Sequence, residues 1–181
     1  MLRFARRTIL MALAAAPLAF GAAQAAGKPT LTLQLKDGPV VIELLPDVAP
    51  KHVARIQQLA KEGFYDGVPF HRVIPGFMAQ TGDPTGTGMG GSKYPDLPAE
   101  FSSIPFKRGT VGMARAQDPN SANSQFFIMF DDGPFLNEKY TVFGQVISGM
   151  DVVDKIKKGS QANNGTVQNP DKIIKATVSG S

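Results

Sequence analysis

FHRVIPGFMAQ, residues 70–80, is the segment on which the prediction of the fold and function rests. It places a basic pair, His71 and Arg72, among apolar neighbours. A guanidinium is costly to bury beside apolar groups unless other polar groups accept its hydrogen bonds. Arg72 therefore either points to water from one face of a strand or is held in a partly apolar pocket for a chemical task.

The alternation of side chains between two faces does not run unbroken through this segment. Alternate residues of an extended strand share a face. By this rule one face carries Phe70, Arg72 and Ile74, and one face carries Met78 and Gln80. Phe77 reaches the side of Met78 only if the chain kinks, and Pro75-Gly76 is the sequence that would produce a kink.

A second segment, SQFFIMF at residues 124–130, has two unlike faces. An extended chain puts Phe126, Ile128 and Phe130 on one face, and Gln125, Phe127 and Met129 on the other. The first face is wholly apolar and suits a core. The second mixes an amide with apolar groups, as the wall of a shallow binding site does. The pattern alone favours plain core packing over a site.

Local patterns predict the elements that open the fold. Thr30–Leu35 alternates strictly, Asp37-Gly38 favours a turn and Val40–Leu45 resumes an extended pattern, so these residues predict a β-hairpin. Pro50–Lys61 has the spacing of an amphipathic helix, with a proline suited to its first turn and Gly63 beyond its end.

The rest of the chain indicates a mainly β fold. Phe64–Val146 consists of short apolar runs separated by turn-forming residues, which is typical of strands. The later predicted elements are a helix around Val152, Val153 and Ile156 with Ser148 and Asp151 as its cap and Gly159 at its end, a turn at Asn164-Gly165, and a strand at Lys172–Val178. Many strands and two helices favour a closed or nearly closed barrel with helices over its ends.

Composition and charge indicate one globular domain after an export signal. The 181 residues are 43% hydrophobic and 19% charged, and their formal charge is +4. Residues 1–25 begin with Arg3, Arg6 and Arg7, continue with an apolar run and end in Ala-Gln-Ala, which is the form of a cleaved signal peptide. Without these arginines, 16 basic residues face 15 acidic ones. A nearly neutral domain at 26–181 predicts no nucleic-acid partner.

The amino-terminal segment leaves two alternatives open. The first is an uncleaved membrane anchor, which is disfavoured because the apolar run is shorter than the ~20 residues of a span. Arg6-Arg7 resembles a twin-arginine signal, so the route of export is undecided. We predict an exported protein, with the periplasm as the first expectation and release into the medium as the open alternative, and with no stable membrane association after cleavage. The absence of cysteine excludes disulfides and thiolate metal sites.

Several chemistries are disfavoured by the residues present. Residues 86–91, GTGMGG, satisfy G-x-G-x-x-G, but Pro95 and Pro98 prevent the helix that a dinucleotide site needs. Only His52 and His71 could serve as a base, and no serine lies in a G-x-S-x-G motif. No tight cluster of ligand residues predicts a metal site. We therefore predict no metal and no cofactor, and a glycine-rich loop that packs closely.

Residues 65–81, YDGVPFHRVIPGFMAQT, resemble the signature segment of the cyclophilin family of peptidyl-prolyl cis-trans isomerases. Further blocks resemble the family in the same order, and the likeness spans about residues 30–178. These blocks are residues 80–88, 112–116, 123–128 and 142–146. The resemblance implies a mainly β fold, a closed eight-stranded antiparallel β-barrel capped by two α-helices.

The resemblance also implies the residues of a site. Arg72 would be catalytic, with Gln80 beside it. The proline pocket would be formed by Phe77, Met78, Phe127 and Leu136, and the groove by Ala114, Arg115, Ala116 and Gln125, with Phe135 and Tyr140 also binding substrate.

Three of these positions depart from much of the family. Arg115 stands where many relatives have Asn, and Tyr140 where many have His. Phe135 stands where eukaryotic relatives often have Trp, which disfavours tight cyclosporin binding and leaves the prediction of isomerase activity unchanged.

The predicted function is isomerisation of X-Pro bonds in unfolded or flexible exported proteins, which would assist their folding. The partners would be proline-containing polypeptides, and the enzyme is expected to be a monomer. The alternative is a proline-peptide binding module or chaperone that uses the same groove without important turnover.

Overall fold

Eight short strands form one sheet in the computed structural model, which describes residues 27–180. The strands are β1 (Thr30–Leu35), β2 (Gly38–Leu44), β3 (Arg72–Ile74), β4 (Met78–Thr81), β5 (Thr110–Met113), β6 (Phe126–Met129), β7 (Val142–Ser148) and β8 (Lys175–Ser179). The α-helices are α1 (Pro50–Lys61) and α2 (Met150–Lys155), and 3₁₀ turns occupy Pro134–Leu136 and Gln161–Asn163. The predicted signal peptide, residues 1–25, lies outside the described residues. Within the described range, no helix is both long and apolar enough to cross a membrane.

The sheet is antiparallel throughout and curls into a half-barrel. Its strand order is β3-β4-β6-β5-β7-β2-β1-β8, so β3 and β8 are its edges. These edges do not pair strand to strand. Residues 165–173 cross the gap instead, where Val73 N–H donates to Gly165 O at 2.8 Å and Phe70 N–H donates to Asp171 O at 2.8 Å. The predicted mainly β fold of eight antiparallel strands with two helices is confirmed. The barrel is not fully closed as predicted, because its edge strands β3 and β8 do not pair with each other.

The opening hairpin and the first helix form where local signals predict them. In β1, Leu31, Leu33 and Leu35 are buried while alternate residues are more exposed, because the strand has a core face and an outer face. Helix α1 starts at its proline and ends at Lys61, and its apolar face packs against β8. The predicted hairpin and helix are confirmed, but the turn lies at Lys36-Asp37 rather than Asp37-Gly38, because Gly38 already pairs with Leu35 as the first residue of β2.

The predicted start and end of the second helix are wrong. Ser148 is the last residue of β7 and caps nothing. Gly149, in the left-handed region with φ of +88°, precedes the helix instead. A Cβ at Gly149 would lie 2.3 Å from Pro39 O, so the close approach of β2 demands glycine there. The helix ends at Lys155 rather than near Gly159.

Two other boundaries also differ from prediction. The last strand starts at Lys175, because Lys172 forms only an isolated bridge with Pro69. Most of residues 82–109 form loops rather than strands. Several backbone N–H groups there donate to side chains such as Asp83 and Asn137, so they are not available for pairing with a neighbouring strand.

Two apolar clusters lie on opposite faces of the sheet near the site. Phe126, Ile128 and Phe130 belong to the main core, while Phe127 and Met129 belong to a smaller cluster beneath the site, which confirms the predicted faces of this segment. Phe70 joins the main core and does not share the face of Arg72, which is a correction. The chain becomes a strand only at Arg72, so strict alternation does not extend back to Phe70.

Candidate active site

A cavity of about 680 Å³ opens where β3, β4 and β6 meet the loops around them. Its walls come from distant parts of the sequence, which the sheet and the loops bring together. The lining residues are His71, Arg72, Phe77, Met78, Gln80, Gly86, Thr87, Gly88, Met89, Ala114, Arg115, Phe127, Phe135, Leu136, Tyr140, Asn164 and Thr166. The cavity therefore combines apolar walls with two guanidinium groups.

Arg72 lies at the edge of the sheet and is held from both sides. Its register partner on β4 is Gln80, whose Oε1 accepts a hydrogen bond from Arg72 Nη1 at 3.1 Å. From the opposite side, Asn164 O accepts from Nε at 3.0 Å and Asn164 Oδ1 accepts from Nη2 at 2.9 Å. Burial lowers the pKa of Arg72, but a guanidinium stays protonated throughout the physiological range.

A chain of amides continues from Arg72 to the glycine-rich loop. Gln80 Nε2 donates to Gln125 Oε1 at 2.9 Å, and Gln125 Nε2 donates to Gly88 O at 3.0 Å and to Gly90 O at 2.8 Å. Each amide has its oxygen directed at the preceding donor. The loop therefore fixes which way Gln80 presents its acceptor to the arginine.

The glycine-rich loop is itself wrapped around a buried carboxylate. Asp83 accepts backbone hydrogen bonds from Thr85 at 2.8 Å, Gly88 at 2.7 Å and Gly90 at 3.1 Å. Burial raises the pKa of Asp83, but these hydrogen bonds, with that of the Thr85 hydroxyl, outweigh it and lower the pKa to about 2. A Cβ at Gly90 would lie 2.1 Å from Asp83 Oδ1, which confirms the predicted close packing of the glycines.

The apolar part of the cavity is a compact aromatic and aliphatic pocket. Met78, Phe127 and Leu136 are buried at its base, and Phe127 is backed by Phe106 with ring centroids 5.7 Å apart. Phe77 enters the cavity from the bend after β3. The predicted kink is confirmed, because Gly76 takes a φ of +69°.

The rim of the pocket carries the three residues at which the sequence departs from the family that it resembles. Phe135 is 59% exposed and lies against Phe77, with ring centroids 5.3 Å apart. The Arg115 guanidinium lies 4.5 Å from the centre of the Tyr140 ring and donates to Lys139 O at 2.9 Å. Arg115 thus ties its own loop to the loop that carries Tyr140.

Most of the predicted site residues line this one cavity. Ala116 and Gln125 instead line an adjoining cavity of about 520 Å³, which shares Gln80, Ala114 and Arg115 with the first. The functional roles of these residues remain predictions. Within the described part of the chain, no group of three or more His, Asp or Glu side chains is arranged to hold a metal ion.

Sequence reasoning missed several residues of the cavity, above all Asn164 and Thr166. The sequence predicts a turn at Asn164-Gly165. No neighbouring residue indicates that this turn packs against Arg72, which lies 92 positions earlier in the chain. His71 also lines the cavity. Burial lowers the pKa of its imidazole, which has no hydrogen-bond partner within residues 27–180.

Comparison with known proteins supplies the family. The model of the cyclophilin type peptidyl-prolyl cis-trans isomerase/CLD family matches residues 30–178. A probable peptidyl-prolyl cis-trans isomerase of Brucella suis biovar 1 is 64% identical over 187 residues, covering 95% of each chain. A peptidyl-prolyl cis-trans isomerase of Schizosaccharomyces pombe is 45% identical over 150 residues, covering 81% of this chain and 96% of that one.

Solved structures share the architecture. The cyclophilin AquaCyp293 from Hirschia baltica superposes with a TM-score of 0.73 at 29% identity, covering 82% of this chain and 73% of its own. A Cryptosporidium parvum cyclophilin type isomerase, crystallised in the presence of the dipeptide Ala-Pro, gives a TM-score of 0.75 at 28% identity, covering 84% and 99%. Sequence and fold together define a peptidyl-prolyl cis-trans isomerase. The chain belongs to the cyclophilin family of these enzymes.

Proposed function

We propose that this chain rotates X-Pro bonds in unfolded or flexible polypeptides outside the cytoplasm, and that Arg72 is the catalytic residue. One observation carries the proposal: a guanidinium held by neutral acceptors stands at the wall of a partly apolar cavity sized for a proline-containing segment. Three of its five N–H groups have protein acceptors among the described residues, so two remain for a substrate.

The chemistry needs a donor that favours the twisted amide. Rotation about an X-Pro bond faces a barrier of roughly 18–20 kcal/mol, because the amide loses resonance as it twists. The proline nitrogen then becomes pyramidal and gains a lone pair. A positioned donor near that nitrogen binds the twisted state better than either planar isomer, and it therefore lowers the barrier. Arg72 would act as this donor, and no covalent bond would break.

The apolar walls would hold the ring while the rest of the bond turns. Met78, Phe127 and Leu136 provide a buried surface for a proline ring, and Phe77 closes one side. The adjoining cavity would receive the residues that precede the proline, along Ala114 and Ala116. Proline-containing polypeptides are thus the proposed partners.

A peptide assay separates this enzyme from a binding module that lacks turnover. The full chain is added to a short X-Pro peptide in a protease-coupled cis/trans assay, and peptide binding is followed by NMR titration. We expect acceleration proportional to enzyme concentration. Binding of the peptide without acceleration would instead support the binding module. If the peptide showed no binding and no acceleration, both functions would be contradicted.

The site of action is proposed from residues 1–25. A basic start, an apolar run and a small-residue cleavage site support export, followed by cleavage after Ala25. We expect the protein isolated from the periplasmic fraction of a Gram-negative host to begin at Ala26. An unprocessed chain in the cytoplasm would contradict export, and an unprocessed chain in the membrane would support the anchor alternative. Replacing Arg6-Arg7 with two lysines tests the twin-arginine route, because a general secretory signal should tolerate this change.

A further inference from the structure

We propose that Asn164 is a positioning residue that sets the plane in which Arg72 presents its guanidinium to the substrate. The inference rests on the proposed function, in which Arg72 is catalytic. Asn164 binds two of the three guanidinium nitrogens, through its backbone oxygen to Nε and its side-chain Oδ1 to Nη2. Gln80 binds only the third.

Gln80 and Asn164 restrict the guanidinium of Arg72 in different ways. A single hydrogen bond donated to Gln80 would leave the guanidinium free to rotate about that contact. Acceptors for Nε and Nη2 on the opposite side fix the plane of the group, because the planar guanidinium has donors in a rigid fork. Both partners are neutral, so they orient the charge without a carboxylate that would compete with the substrate for it.

The loop that carries Asn164 is anchored to the strand that carries Arg72. Val73 N–H donates to Gly165 O at 2.8 Å, and Gly159 N–H donates to Val73 O at 2.9 Å. Val167 N–H donates to His71 O at 3.1 Å. These bonds lie on both sides of Arg72 along the chain, so the loop and the arginine share one rigid frame.

The backbone conformation of Asn164 separates its structural role from its side-chain role. Its φ is +53°, in the left-handed region that glycine adopts more readily than asparagine. Glycine would therefore satisfy the turn and retain the backbone acceptor for Nε. What glycine would lack is Oδ1, the acceptor for Nη2. The variant Asn164→Gly thus removes the proposed function of the side chain and keeps the fold.

Asn169 provides a matched control. It is also an exposed asparagine in the left-handed region, with φ of +51°, and it does not line the cavity. We expect Asn164→Gly to lower kcat on an X-Pro peptide by about 5- to 30-fold, because a misplaced catalytic group loses rate steeply. KM and the melting temperature should change little. Asn169→Gly should leave kcat unchanged.

A double variant tests whether Asn164 acts through Arg72. In an Arg72→Ala background, Asn164→Gly should cause no further loss, because the group that it positions is gone. An equal loss in both backgrounds would overturn the inference, as would full kcat in Asn164→Gly. The two proposals fail separately: full activity of Arg72→Ala refutes the catalytic assignment itself, whereas inactive Arg72→Ala with fully active Asn164→Gly refutes only the role of Asn164.

Discussion

Arg72 combines a full positive charge with hydrogen-bond partners that carry no charge. Gln80 and Asn164 accept its hydrogen bonds, and among residues 27–180 it forms no ion pair. A carboxylate in either place would also hold the guanidinium. It would, however, satisfy the charge that the twisted X-Pro bond is proposed to use. Neutral amides therefore suit a donor that must act on its substrate.

The variant Gln80→Glu tests this preference for a neutral partner. The substitution keeps the size of the side chain and places a carboxylate on Arg72 Nη1. It also removes the Nε2 group that donates to Gln125 Oε1 and places a charged acceptor against that oxygen. We expect kcat/KM on an X-Pro peptide to fall about tenfold or more, because a charge-assisted bond holds the donor more strongly. The control is Gln58→Glu on the exposed side of α1, which should have no effect on activity. Unchanged activity in Gln80→Glu would contradict the argument.

At the scale of elements, the glycine-rich loop shows how one residue organises many. The Asp83 carboxylate accepts hydrogen bonds from the backbone N–H groups of residues 85, 87, 88 and 90, and the loop in turn orients Gln125. The N–H groups that a phosphate would need are thus already bonded to a carboxylate. The loop supports the site through structure and makes no contact of its own with Arg72 among the described hydrogen bonds.

The variant Asp83→Asn should destabilise this loop. An amide in place of the carboxylate would turn a donor toward backbone N–H groups and leave them unsatisfied, at a cost of about 2–3 kcal/mol in the free energy of unfolding. Because the folded pKa lies at about 2, below the ordinary value of 3.8, the stabilisation is fully present above about pH 4. It is lost as the pH falls through about 2.

Urea unfolding at several pH values measures this effect. The difference in stability between the parent chain and Asp83→Asn should be largest near pH 7 and should shrink below pH 4. Asp118→Asn, on an exposed loop, is the control and should change stability little. A difference that did not vary with pH would show that the charge of Asp83 is not what holds the loop.

Elements were predictable where their signals are local, and they were mispredicted where distant contacts decide. Helix α1 carries its proline, apolar face and terminal glycine within one stretch, so both of its ends were predicted. The start of α2 depends on how closely β2 approaches Gly149, which no nearby residue reveals. Similarly, the family resemblance supplied Arg72 and its apolar pocket, while Asn164 became visible only when the fold placed it against β3.

At the scale of the whole molecule, the site lies at the β3 edge of the sheet, which does not pair with the β8 edge. Arg72 is on β3, an edge strand, and the opposite edge does not pair with it. One flank of the arginine therefore meets a strand and the other meets a loop. This open edge lets acceptors from two unrelated parts of the chain reach one guanidinium, while the main core supports the sheet from behind.

The central claim is that Arg72 supplies the catalysis, and the variant Arg72→Ala tests it most directly. Its rate on an X-Pro peptide is compared with that of the parent chain and of Arg108→Ala, which removes an arginine paired with Asp154 outside the cavity. Circular dichroism and melting temperature check that each variant is folded. We expect Arg72→Ala to lose about 100-fold or more in kcat/KM while still binding the peptide, and Arg108→Ala to retain full activity. A folded Arg72→Ala protein with full activity would contradict the account.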